Sequence, residues 1–181
     1  PETIYIGDCR HIDADGNTLD MHTSRIQTFE DLVDIPNVWR CRENRGHIVQ
    51  MEVLFSLDLF ESVGGVDEGM EYAMDFDLWG RMLLEGGEVY YTGIEVGMFR
   101  KHEAQKTSEG RSTTEELMRS AIRLTKRHPS WPVQKKDELI NRLTQYQREE
   151  WHKTGRLARA GLPKSLVLFL RDLRTRFFNG P

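Results

Sequence analysis

Carboxylates gather at Asp67, Glu68, Asp75 and Asp77, in a stretch that opens on Gly64-Gly65 and closes on the aromatic segment Phe76 to Trp79. Ionised carboxylates crowded where a loop turns into a helix cost free energy unless they are solvated, paired or employed in chemistry. The chemistry they suit best is proton transfer. Asp75 and Asp77 stand two apart at a helix start, so on a regular helix their side chains diverge by about 200° and do not share one target. Asp77 has Arg81 four residues later, the favourable acid-before-base order on one helix face, which gives it a structural partner. That leaves Asp75 as the candidate general base. The same spacing equally suits a simpler role, an N-cap accepting backbone N–H groups, and by spacing alone this is the stronger reading. Asp67 and Glu68 follow the double glycine as a loop pair that either meets a substrate or satisfies loop amides. His102, just after Arg100 at a strand end, reads as a metal ligand, a phosphate contact or an ordinary surface histidine. Arg40, Arg42 and Arg45 form either an anion-binding loop or a solvated one with Glu43 as partner.

The elements that must position these residues are legible in outline. Thr3 to Asp8 is a β-branched and aromatic run that Gly7 is expected to end, and Asp13-Ala14-Asp15-Gly16-Asn17 is a turn. Its glycine is fourth where a calcium loop needs it sixth, so the turn is read as plain. Thr28 caps a short helix expected to stop before Pro36. Ile48 to Phe55 is apolar and β-prone, Ser56 caps a short helix through Val63, and the double glycine ends that helix by supplying positive φ. A second helix is expected from Asp75 to about Glu85, with Leu78 and Met82 on its buried side and Gly86-Gly87 as its stop. Glu88 to Thr92 and Val96 to Arg100 read as two strands. Ser108 to Thr114 is a polar linker, and Glu115 to Arg127 and Lys135 to Lys153 have helical composition, broken at Pro129 and Pro132.

The 181 residues, 38% hydrophobic and 30% charged, suffice for one ordinary core with an appendage. The net charge of −4 conceals a division: residues 1–110 carry 9 basic and 22 acidic side chains, a balance of −13, whereas residues 111–181 carry 16 and 7, a balance of +9. The division predicts an acidic α/β part over residues 1–110 and a basic helical extension over residues 111–181. Cys9 and Cys41, without paired Cys/His spacing, suggest neither a disulfide framework nor a structural zinc, in keeping with a cytoplasmic setting. No apolar run spans a bilayer, and no signal-peptide pattern opens the chain. The tail Pro163 to Phe178 is basic and amphipathic; it reads either as a peripheral contact with an anionic membrane or as a terminal helix docked on its neighbours. The basic helices lack an aromatic-interleaved face, so nucleic acid is not expected as a partner.

The order of the motifs carries a further reading. Gln50, then Val53-Leu54-Phe55-Ser56 and Leu59-Phe60-Glu61-Ser62-Val63-Gly64-Gly65-Val66-Asp67-Glu68, then Ala73-Met74-Asp75-Phe76-Asp77-Leu78-Trp79-Gly80-Arg81, and finally Phe99-Arg100-Lys101-His102 with Lys106-Thr107, resembles the later half of a family-2 glycosyltransferase of the GT-A fold. The resemblance covers residues 4 to 107. It implies a partial, Rossmann-like GT-A domain and an inverting transfer from a nucleotide-diphosphate sugar to a glycan or lipid-linked acceptor hydroxyl. Asp75 occupies the place of the general base, and the resemblance implies that Gln50, Asp67, Glu68 and Trp79 line the acceptor side. It also implies a divalent Mg or Mn, with His102 at a position that in a number of GT-A enzymes helps hold metal or diphosphate. Such enzymes carry a nucleotide-binding half with an Asp-x-Asp metal motif upstream of this region, and Pro1 is expected to lie after it. Asp13-Ala14-Asp15 has the letters of that motif but sits in the downstream turn and is not assigned its role. The 181 residues alone are therefore expected to be poorly active or inactive. The rival expectation is a non-catalytic binding or membrane-associated module derived from such an enzyme.

Overall fold

Ile4 and Ile6 alternate with Tyr5 along β1 (Thr3–Ile12), the strand on which the sheet is built, and the two isoleucines are about 1% exposed while Tyr5 faces outward. The computed structural model describes residues 2–40, 46–102 and 111–159. Among them the chain is mixed α/β, with a four-stranded mixed sheet and six helices. One edge of β1 is shared by two antiparallel partners: β3 (Val53–Leu54) pairs at Tyr5 and Ile6, and β2 (Thr18–Thr23) pairs from Asp8 to Ile12. The other edge takes β4 (Glu88–Arg100) in parallel along its whole length, from Thr3 opposite Glu88 to Ile12 opposite Arg100. The hairpin between β1 and β2 is closed by the expected plain turn, in which one Asp13 carboxylate oxygen accepts the N–H groups of Asp15 and Asn17.

The helices are α1 (Phe29–Val33), α2 (Ile35–Arg40), α3 (Leu57–Ser62), α4 (Met74–Leu84), α5 (Arg111–Arg127) and α6 (Val133–Arg159). Thr28 caps α1 in a reciprocal box with Asp31. The core joins Ile4 and Ile6 of the sheet to Phe29, Leu32 and Val33 of α1, Leu78, Trp79 and Met82 of α4, Met118, Ala121 and Leu124 of α5, and Leu139 and Leu143 of α6. Spacings of three and four residues place each helix's apolar stripe on this core, where a fully buried Leu or Met side chain contributes about 1.5–3 kcal/mol. The helices beyond residue 110 are thus built onto the same core as the sheet. Gly80 brings α4 and α5 together: a Cβ there would stand 2.3 Å from Leu124 Cδ1.

Several elements differ from the sequence reading. Gly7 does not end β1; it lies inside the strand where Val96 and the Ile94 carbonyl of β4 leave no room for a Cβ. The two strands expected after residue 88 are one, because irregular register beside Asp8, with Gly93 at φ +70°, absorbs the extra residues. Of the expected strand from Ile48 to Phe55, Gln50–Glu52 form a 3-10 turn and only Val53 and Leu54 pair, since β2 occupies the rest of that edge of β1. The helix capped by Thr28 does stop before Pro36, at Val33, but Pro36 itself sits in the first turn of a further helix, α2, where a missing N–H costs nothing. Arg111 to Thr114, expected in the linker, begin α5. Residues 41–45, 103–110 and the amphipathic tail lie outside the described residues, so the arginine loop, Lys106-Thr107 and the stretch 163–178 have no structural account. Among the described residues, no helix is long and apolar enough to cross a membrane.

Candidate functional site

The double glycine works as a helix stop. Gly64 and Gly65 adopt φ +81° and +68°, and their N–H groups return to the carbonyls of Glu61 and Phe60 at 2.9 Å each, the paired closure that a C-terminal glycine permits. The chain then turns through Asp67, whose carbonyl accepts from Met70 N–H and whose side chain accepts from Gly69 N–H, both at 3.0 Å. Three amides in succession, Glu71, Tyr72 and Ala73, lead into α4.

Ala73 is the N-cap of α4 and supplies no side-chain bond. Asp75 is therefore not the N-cap residue, yet its carboxylate accepts a first-turn amide, Phe76 N–H at 2.7 Å, so the simpler of its two sequence readings holds in part. The capping is done from another helix: the Glu116 carboxylate on α5 accepts the N–H groups of Glu71 (3.0 Å), Tyr72 and Ala73 (2.8 Å). Burial pushes the Glu116 carboxyl up, but these amides, with Arg119 nearby, outweigh it and hold the group below its ordinary value.

Asp77 and Asp75 part company as their angular separation requires. Asp77 is 1% exposed and fully engaged, accepting from Arg81 Nε, Ser120 Oγ and Arg123 at 2.8 Å each. Burial raises its carboxyl, and the three donors more than reverse this, so the group stays ionised well below the usual range. Arg81 donates in addition to the Val63 carbonyl, tying α4 to the end of α3. Arg123 also reaches Asp67 at 3.3 Å. Asp75, in contrast, accepts a 2.7 Å bond from Phe76 N–H, and no cation pairs with it among the described residues. Burial pushes its carboxyl above the ordinary value, opposed only by backbone N–H groups. A carboxylate of this kind, raised above its ordinary value and without a cation partner among the described residues, is suited to take a proton.

The remaining expected site residues are scattered. Asp67 is half-buried and held by Arg123, and Glu68 is exposed on the same loop. Gln50 is exposed in the 3-10 turn, which packs against β4 where Gly97 meets the Met51 carbonyl. Trp79 does not face an acceptor: it is 3% exposed and belongs to the core, because on α4 it falls one turn after Phe76 on the buried side. His102 is exposed just past β4, beside Lys101, which pairs with Asp20. Among the described residues no group of three or more His, Cys, Asp or Glu side chains could hold a metal ion. His102 is an exposed imidazole that follows Arg100 and Lys101, with no such group assembled around it among the described residues.

Two groups of residues went unread in the sequence. Glu116, Ser120 and Arg123 lie at i, i+4 and i+7 on α5, a polar stripe beside its apolar one; that spacing was the available signal. The second group surrounds Glu52, which is 0% exposed, with Val49 N–H on one oxygen at 2.8 Å and no hydrogen-bond partner for the other among the described residues. Burial pushes its carboxyl up to about 8. His22 stands 3.6 Å from it and stacks on His11, with ring centres 5.4 Å apart.

No protein-family model and no curated protein matches the chain. The resemblance to family-2 glycosyltransferases rests on the order and spacing of its motifs.

Proposed function

We propose that this chain supplies the acceptor-side half of an inverting glycosyltransferase of the family-2, GT-A type. The observation that carries the reading is the contrast between two neighbouring aspartates: Asp77 is buried and saturated by Arg81, Ser120 and Arg123, while Asp75, two residues earlier, is raised by burial and has no cation partner among the described residues. Asp77 holds the helix, and Asp75, which accepts only backbone N–H groups among the described residues, is the one we assign to chemistry. In the proposed reaction the Asp75 carboxylate takes the proton of an acceptor hydroxyl as its oxygen bonds to the anomeric carbon. The bond from that carbon to the nucleoside diphosphate breaks, and the configuration inverts. A base pushed above the ordinary aspartate value takes that proton more readily than an exposed one.

On this reading the nucleotide-binding half lies in chain outside the 181 residues and brings its own diphosphate and metal site. The acceptor is a glycan or lipid-linked hydroxyl at the cytoplasmic side of a membrane, and the basic tail at 163–178 provides peripheral contact. The test is sugar transfer by the longest natural chain that contains these residues, offered a panel of radiolabelled nucleotide-diphosphate sugars with and without Mg or Mn. Labelled product that disappears on Asp75→Asn, with donor binding retained, supports the reading. Undiminished transfer by that variant removes Asp75 from the role.

A further inference from the structure

The first turn of α4 is not held by its own residues. Its N-cap, Ala73, has no side chain capable of the task, and the loop before it places three consecutive N–H groups in need of acceptors. One carboxylate, Glu116, accepts all three from 43 to 45 residues away. One turn further along α5, Ser120 donates to Asp77, and Arg123 after it joins Asp77 to Asp67. A single face of α5 therefore grips the junction before Asp75, the helix after it and the loop that follows the double glycine. Gly80 against Leu124 keeps the two helices close enough for this reach.

We propose that Glu116 is a positioning residue: by closing the amides of Glu71, Tyr72 and Ala73 it fixes the loop-to-helix junction from which Asp75 projects, and so makes α5 part of the working unit. The proposal rests on the reading of Asp75 as the base. Its logic is geometric. A reacting group displaced by about 1 Å loses on the order of 100-fold in rate, and Asp75 is only two residues beyond the last amide that Glu116 holds. Asp75 is half-buried beside this junction, and that burial is the cause of its raised carboxyl. Among the described residues, the charged groups around this region include Asp67 and Glu71 on the loop, Asp77 and Arg81 on α4, and Arg119 and Arg123 on α5.

The test uses Glu116→Gln, which keeps the shape, loses the charge and turns a donor toward the amides. Two readouts are taken: the 13C titration of the Asp75 carboxyl in the 181-residue chain, and kcat and acceptor KM in the longest natural chain. The expected result is an Asp75 midpoint that falls toward the ordinary aspartate value, with kcat lowered about 10- to 100-fold and KM within about twofold. Arg142→Ala, which removes the 3.0 Å Arg142–Asp34 pair between α6 and the residue that joins α1 to α2, should move neither readout. An Asp75 titration and a kcat both as in the wild type overturn the proposal. Should the glutamine variant fail to fold, the wild-type chain decides. The amide signals of Glu71, Tyr72 and Ala73 must shift together as Glu116 protonates below its ordinary 4.5, and independent or absent shifts refute the contact. Absence of transfer, or full transfer by Asp75→Asn, defeats the base reading, and the two titrations then decide the role of Glu116 by themselves.

Discussion

Replacing Asp77 by Asn should cost about 3 kcal/mol of folding stability at pH 7. The figure follows from what each partner loses. Arg123 is 45% exposed and retains Asp67, so it rehydrates, and its share is about 0.5 kcal/mol. Ser120 keeps an oxygen to donate to and loses the charge on it, a share of about 1 kcal/mol. Arg81, only 14% exposed, is left with the Val63 carbonyl and an amide in place of a carboxylate, and it supplies the remaining 1.5 kcal/mol or so. For a chain of this size the loss lowers Tm by roughly 6–12 °C. Its pH dependence has a fixed sign. The Asp77 carboxyl lies below its ordinary 3.8 in the folded chain. The stability it brings is therefore present above 3.8 and is lost as pH falls through the folded value. Urea unfolding followed by circular dichroism at pH 7 and near pH 3 should show the gap between wild type and variant narrowing at the lower pH. A gap below about 1 kcal/mol at pH 7, or one that widens toward pH 3, would refute the network.

Glu52→Gln should behave in the opposite sense. A carboxyl raised from 4.5 to about 8 by burial lets the folded chain keep a proton that the unfolded chain releases, so wild-type stability declines as pH rises from 4.5 to 8. The glutamine variant escapes this decline, and urea midpoints should cross in its favour by pH 8; parallel pH profiles would contradict the buried carboxyl. Gly80→Ala places a methyl 2.3 Å from Leu124 Cδ1 in a filled core, which costs about 1–3 kcal/mol against a helix-propensity gain of about 1. A net loss is expected, and adding Leu124→Val should recover much of it; strictly additive effects in thermal unfolding would show that the two residues do not touch.

The local signals in the chain were readable because their partners are near in sequence. The double glycine ends α3 within two residues of it, Thr28 finds Asp31 three residues on, and Asp77 finds Arg81 one helical turn later. What could not be read depends on distant pieces. Ile48 to Phe55 has the composition of a strand, but how much of it pairs is decided by β2 at the far end of the same edge. Glu88 to Thr92 and Val96 to Arg100 read as two strands, and the gap between them becomes an irregularity within one because β1 continues alongside. Trp79 stands in an aromatic stretch beside the carboxylates, yet its turn of α4 faces the core. At the candidate site, Asp75 and Asp77 could be told apart from spacing and Arg81 alone. The three residues of α5 that complete the separation lie more than forty positions away, and only their helical stripe hinted that they face protein and not water.

The decisive measurement is the transfer rate of Asp75→Asn in the longest natural chain, compared with wild type while donor binding is followed in parallel. A positioned general base contributes about 100- to 10,000-fold. The expected result is a fall of that order in kcat with donor affinity unchanged. Transfer within about tenfold of the wild type would contradict the assignment of Asp75 as the base.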